Sequence, residues 1–257
     1  MSENSSTIYD FTFQLIADFF KRLNRQGPGS EDVTLKALSY IDNLSEKSRI
    51  ADIGCGTGTQ SLTLAQNTRG HITAIDIMDE MIERLDQRIE LAGLQNRMTT
   101  IVESMDNLPF AEEELDLIWA EGSIYNIGYE KGLKEWNKYL KKGGYIAVSE
   151  STWLTPERPL EIEKFWVDSY PEIDVTSVKI RQMKDAGYLP VTHFILPDYC
   201  WDECFHALMP STMDDFLTRN GNTPTAKVFI EMMNYEIELR HKYKEYYGYV
   251  FYIGRKL

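Results

Sequence analysis

Cysteine is scarce in this chain of 257 residues: three stand at 55, 200 and 204. So odd and sparse a set excludes a disulfide framework and fits a reducing compartment, so the expected location is cytoplasmic. Cationic side chains are also short, with 27 Lys and Arg against 40 Asp and Glu and a formal net charge of −13. A surface of that sign does not track phosphates, which removes nucleic acid from the expected partners and favours small molecules. No stretch of 18 apolar residues occurs and no basic-then-apolar leader opens the chain, so no membrane partner and no export are expected. Cys200 and Cys204 lie one helical turn apart near His206, but without a second pair or a clear fourth ligand they predict no metal. Internal repeats and low-complexity tracts are missing as well.

Glycine is concentrated where it can do something particular. The apolar run ending at Ile53 passes into a turn with Gly54, Gly56 and Gly58, and a second apolar run, Ile72 to Ile75, ends on Asp76. Glycine has no Cβ, so it accepts φ > 0 and lets backbone approach a ligand closely. A dinucleotide fingerprint, G-x-G-x-x-G, would place its third glycine at position 59, which is Thr59. A carboxylate closing the second strand accepts from two adjacent ribose hydroxyls, so Asp76 predicts a nucleoside without choosing which.

The form Asp52-x-Gly54-x-Gly56-x-Gly58 resembles motif I of the class I S-adenosylmethionine-dependent methyltransferases. Further features follow in the family's order. Ser104 to Phe110 is similar to the segment after the third strand, Leu115 to Glu121 to the fourth strand, and Leu140-Lys-Lys-Gly-Gly-Tyr145 to the turn into the fifth. The resemblance covers roughly residues 34 to 150 well, and is of the small-molecule type similar to the ubiquinone and menaquinone methyltransferase-like group. It implies S-adenosylmethionine as cofactor. Gly54 and Gly56 would let backbone approach its methionyl part, with Gly58 also counted among the cofactor-binding residues, Asp52 would reach the ammonium directly or through water, and Asp76 would hold the ribose. Ile77 and Met78 would sandwich the adenine. Many relatives carry an aspartate for the adenine amino group where this chain has Ser104, so that contact passes to Asp106 or to the backbone around Met105.

Strands alternating with helices from 48 to 150 predict an α/β fold: a Rossmann-like, doubly wound sheet of seven strands with helical cap insertions. The resemblance implies that the last strand, Tyr249 to Arg255, is antiparallel and at the edge. The whole chain, 1–257, reads as a single methyltransferase domain. Within it, 1–33 is an N-terminal helical lid segment, 34–156 the cofactor-binding core, and 157–257 a C-terminal part with a cap inserted at 197–248. Apolar residues at helical spacing predict one amphipathic helix from Tyr9 to Leu23, and Ser30 predicts the cap of a helix reaching Ile41. Asp52, Asp76, Ser104 and Glu121 fall at strand C-termini and so converge on one crevice.

The implied reaction is methyl transfer to a small-molecule acceptor by in-line displacement. Glu121 is the candidate base or amine-orienting group, and a capping carboxylate is the ordinary alternative. His206 is the best-placed imidazole in the cap and the second catalytic candidate. Tyr9, Trp119, Trp153, Trp166, Tyr170, Tyr199 and Trp201 are candidates for an acceptor pocket or a cation cradle, or for core packing. The rival readings are a nucleoside-binding protein without turnover and a nucleotide-dependent dehydrogenase. The long insertion reads as a roof, or as the interface of a homodimer.

Overall fold

The computed structural model describes residues 7–257. After a 3-10 turn at Ile8–Asp10 come α1 (Phe13–Phe20), α2 (Glu31–Leu38), β1 (Arg49–Ile53), α3 (Thr59–Asn67), β2 (His71–Asp76), α4 (Asp79–Ala92) and β3 (Met98–Val102). They are followed by β4 (Leu115–Glu121), α5 (Tyr129–Trp136), β5 (Leu140–Trp153), α6 (Leu160–Ser169), β6 (Asp174–Val175), α7 (Thr176–Asp185) and β7 (Tyr188–Ile195). The remainder is α8 (Tyr199–Asp202), α9 (Pro210–Arg219), α10 (Pro224–Tyr243) and β8 (Tyr247–Lys256). The sheet runs β3-β2-β1-β4-β5-β8-β7, with the two-residue β6 paired to the end of β5. β8 is antiparallel to both of its neighbours, as expected of the last strand, but it lies one place in from the edge.

That inner position follows from composition. The Tyr247-Gly-Tyr-Val-Phe-Tyr-Ile253 run of β8 is buried throughout, as a strand covered on both faces must be. β7 is buried only at Tyr188, alternates exposed with half-buried residues beyond it, and contains Pro190, which has no N–H to donate. Its pairing with β8 shifts register between Pro190 and Thr192, a break tolerable at an edge. Two apolar layers cover the sheet, one packing Leu85, Trp119 and Phe251, the other Trp136, Ile146 and Tyr252.

The single helix expected from Tyr9 to Leu23 is broken. Thr12 accepts a hydrogen bond at Oγ1 from the Leu15 N–H at 3.3 Å, which starts α1 there and leaves the 3-10 turn before it. Tyr9's side chain lies outside the described residues. Ser30 caps α2 as expected, through the Val33 N–H at 3.4 Å, with Glu31 and Asp32 in the first turn.

A third apolar cluster stands apart from the sheet. Phe19 and Leu23 from the N-terminal side pack with Met213, Phe216, Phe229 and Met233 of α9 and α10. Phe19 meets Phe216 edge-on at 5.3 Å and Phe229 at 5.2 Å, and Arg219 bridges Asp18 at 3.1 Å. The two ends of the chain therefore share one small core.

Candidate active site

The glycine turn comes first. Gly54, Gly56 and Gly58 have φ of +72°, +54° and +79°, the left-handed region that β-substituted residues avoid. The N–H groups of Gly54 and Cys55 donate to the Ile75 carbonyl at 2.8 and 2.9 Å, which ties the turn to the end of β2. Asp76 completes the tie: its Oδ2 accepts from the Gly56 N–H at 2.8 Å and its Oδ1 from the Met78 N–H at 3.0 Å. Burial holds this carboxyl above the ordinary carboxylate range against those backbone donors. Each oxygen retains a lone pair for a further donor.

A cavity of about 730 Å³ opens above the C-terminal ends of β1, β2 and β4. It lies where ligands bind open α/β sheets. Gly54, Gly56, Asp76, Ile77, Met78 and Glu121 are on its wall, and Ser104, Met105 and Asp106 border it further along. Ile77 is 49 % exposed although apolar, so it offers a hydrophobic surface to an occupant. Asp106 pairs with Lys131 at 2.5 Å, and the Ser104 hydroxyl accepts the Asp106 N–H at 3.3 Å. Asp106 is thus held by α5, and the Ser104 hydroxyl by the segment's own backbone.

Of the aromatic candidates, Trp166, Tyr170 and Trp201 line the cavity, whereas Trp119 and Trp153 are buried in the core and Tyr199 is bonded to Asp32. Three of the residues predicted for catalysis or the cofactor are not on that wall either. Gly58 is the N-cap of α3, and a Cβ there would meet Leu85 at 2.1 Å, so its smallness serves the packing of α3 against α4. Asp52 is fully buried beneath the turn, where its Oδ2 accepts from the Ser61 hydroxyl. His206 is 4 % exposed and packs behind Trp201 and Phe205, with Nε2 3.5 Å from Glu236 Oε1. Its partner Glu236, not the imidazole, reaches the cavity.

Glu121 is on the wall but already occupied. Oε1 accepts from the Thr34 hydroxyl at 2.6 Å and from the Trp119 indole at 2.9 Å, and Oε2 is paired with Arg25. Every donor fixes it in place, so it anchors the segment before α2 to the end of β4. Gln26, next in sequence, bridges in the same direction. Its Oε1 accepts the Thr57 N–H at 2.9 Å, and its Nε2 donates to the Phe20 and Leu23 carbonyls at 3.0 Å. Arg25, Gln26 and Glu236 were not legible beforehand, because no period or motif distinguishes them from other polar residues.

Burial pushes the Asp52 carboxyl up to about 7, against the hydrogen bond from Ser61 and with the charge of Glu121. The folded chain therefore keeps a proton that the unfolded chain releases near its ordinary value of about 4. Where the native state binds more protons, stability falls as pH rises. Between about pH 5 and pH 7.5 this group should remove about 2 to 3 kcal/mol, by the energy of roughly 1.4 kcal/mol per pKa unit. Urea unfolding at the two pH values checks it. Asp52→Asn should flatten the slope by that amount, and an unchanged slope in the variant would assign the effect elsewhere.

Fold and turn together define a Rossmann-like α/β core, the architecture of its methyltransferase structural neighbours. Residues 50–144 match the methyltransferase domain family. It is 32 % identical over 119 residues to the ubiquinone/menaquinone biosynthesis C-methyltransferase of Geotalea daltonii, covering 45 % of this chain and 49 % of that protein. Against the demethylmenaquinone methyltransferase of Staphylococcus epidermidis the identity is 28 %, covering 56 % and 60 %. The chain thus spans about half the length of these curated relatives. In fold, the S-adenosylhomocysteine complex of a Geobacter sulfurreducens methyltransferase superposes with a TM-score of 0.83, covering 96 % of this chain and 99 % of that one at 17 % identity. Among the described residues no helix is long and apolar enough to cross a membrane, and no group of three or more His, Cys, Asp or Glu is placed to hold a metal.

Proposed function

We propose that this protein transfers a methyl group from S-adenosylmethionine to a small-molecule acceptor. The observation that carries the reading is the junction of the glycine turn with Asp76 at the floor of a 730 Å³ cavity, beside the exposed apolar surface of Ile77. A carboxylate with lone pairs to spare fits a ribose diol, and the neighbouring apolar surface fits an adenine face. When bound, the cofactor supplies a methyl already activated on a sulfonium, so the protein need not provide a nucleophile. Its residues hold, orient and exclude water. Asp76 binds the ribose, Ile77 and Met78 flank the base, and the Met105 backbone with Asp106 borders its far edge. Gly54 and Gly56 keep the turn low, Gly54 because a Cβ would meet Ser123 at 2.4 Å and Gly56 because one would meet Gln26 at 2.3 Å.

Glu121 serves here as the anchor of the N-terminal segment, with Arg25 as its partner. The segment 1–33, as far as it is described, and the insertion 197–248 act together as a lid through their shared apolar cluster. Asp52 shapes the turn from below, and His206 acts through Glu236.

Asp76→Ala should weaken S-adenosylhomocysteine binding about tenfold to a hundredfold, the loss of about 1.5 to 3 kcal/mol expected when a charged acceptor is removed. Calorimetric titration measures it. Binding by the native protein that survives the substitution unchanged would remove the ribose role, and no binding by the native protein would remove the whole reading.

A further inference from the structure

Trp166, Trp201, Phe205, Met233 and Tyr249 wall the cavity beside the carboxylate of Glu236 on α10. The other carboxylates of the wall are engaged, Asp76 with the Gly56 and Met78 N–H groups, Glu103 with the Ser104 N–H, Asp106 with Lys131 and Glu121 with Arg25. Trp201 stands edge-on to Tyr249 with centroids 5.0 Å apart and to Trp166 at 6.5 Å. Glu236 Oε1 faces His206 Nε2 at 3.5 Å, and His206 Nδ1 has no partner among the described residues. That contact is with an imidazole and not with a guanidinium or ammonium, so no Arg or Lys side chain is paired with Glu236. Arg240, one turn further along α10, does not balance it, being committed to Asp198 at 2.7 Å and to the Tyr247 carbonyl at 3.0 Å. The one cationic side chain on the described cavity wall is Arg25, and Glu121 holds it.

An aromatic wall with one uncompensated carboxylate selects for positive charge. Rings present a negative face to a cation, and desolvation strengthens that attraction. Trp201 already does so from outside the cavity, where the Arg240 guanidinium lies 5.0 Å from its centroid. An acceptor carrying a carboxylate or phosphate would meet Glu236 with no basic partner to offset it.

We propose that this part of the cavity is the acceptor subsite and that it holds the acceptor by a cationic nitrogen, an ammonium or quaternary ammonium on an apolar body, with Glu236 as the anchoring carboxylate. That nitrogen has no lone pair and is the handle, so the methyl passes to a different, nucleophilic atom of the acceptor. The proposal rests on the methyltransferase reading for its role as acceptor site, but not for its charge selectivity. It is tested on protein saturated with S-adenosylhomocysteine, by quenching of tryptophan fluorescence. Three probes of similar shape are compared: phenethyltrimethylammonium, the neutral 3,3-dimethylbutylbenzene and the anionic 3-phenylpropanoate. The quaternary probe has no proton to lose, so its charge is the same at every pH. The cation should bind saturably and at least tenfold more tightly than either of the others. Glu236→Gln should remove at least tenfold of that affinity and Glu236→Asp should retain most of it, while calorimetric affinity for S-adenosylhomocysteine stays unchanged. Equal binding of the neutral probe, or cation affinity indifferent to Glu236→Gln, overturns the proposal, and so does a protein that takes up S-adenosylhomocysteine but not the cation. A cation site that responds to Glu236 in a protein that binds no S-adenosylhomocysteine would overturn the methyltransferase reading and leave this one standing. Should Glu236→Gln fail to fold, the ranking of the three probes on the unaltered chain decides.

Discussion

Gly58→Val should destabilise the protein by about 3 to 5 kcal/mol, adding the cost of a strained backbone to that of overpacking a closed interior. Position 58 has φ of +79°, and a Cβ there would lie 2.1 Å from Leu85 Cδ1. Leu85 is fully buried, so it has little room to withdraw. Gly93 supplies the control, because it ends α4 at φ +68° with nothing within 4 Å of an added Cβ. Gly93→Val should therefore cost the backbone strain alone, about 1 to 3 kcal/mol. Urea midpoints of the two variants separate the contributions, and equal losses would mean that the contact with Leu85 relaxes freely.

The second large effect is expected at the ion pair between Arg25 and Glu121, whose side chains are 8 % and 3 % exposed. Removing one member of a buried pair leaves the other desolvated and costs about 3 to 5 kcal/mol. Arg25→Ala should show that loss, together with faster amide exchange in α1, since Arg25 links the N-terminal segment to β4. Replacing both members, as Arg25→Met with Glu121→Gln, should cost less than Arg25→Ala alone, because no charge is then stranded. A double variant at least as unstable as the single one would mean that the pair contributes by its packing and not by its charge. Unchanged exchange in α1 would detach the ion pair from the lid.

The elements legible in the sequence were those dictated by local chemistry. Alternating strands and helices, the turn at 54–58 and the carboxylate closing β2 stand where their residue types put them, and Asp76 and Glu121 meet at one cavity because both end parallel strands. What escaped depended on contacts distant in sequence. The Thr12 cap that breaks the first helix was visible in principle, whereas the choice of Gln26 to satisfy Thr57 is made only once the N-terminal segment crosses the turn. β8 illustrates a signal present but undervalued: its unbroken apolar run argued for an inner position, and Pro190 argued that β7 was the edge. His206 was placed by residue type alone, and the packing of Trp201 and Phe205 over it is not written in spacing.

The apolar cluster joining Phe19 to Phe216 and Phe229 spans nearly the whole chain, and on a ribosome that span is a delay. At roughly 5 to 20 residues per second, α1 emerges about 10 to 40 seconds before the helices that cover it. Throughout that interval Phe19, Phe20 and Leu23 have no lasting partner, while the parallel strands from β1 to β5 can already pair. A nascent chain halted after β5 should therefore be a good client for a chaperone that grips short aromatic segments. Release of that grip should coincide with the synthesis of α10, not with completion of the cofactor-binding strands.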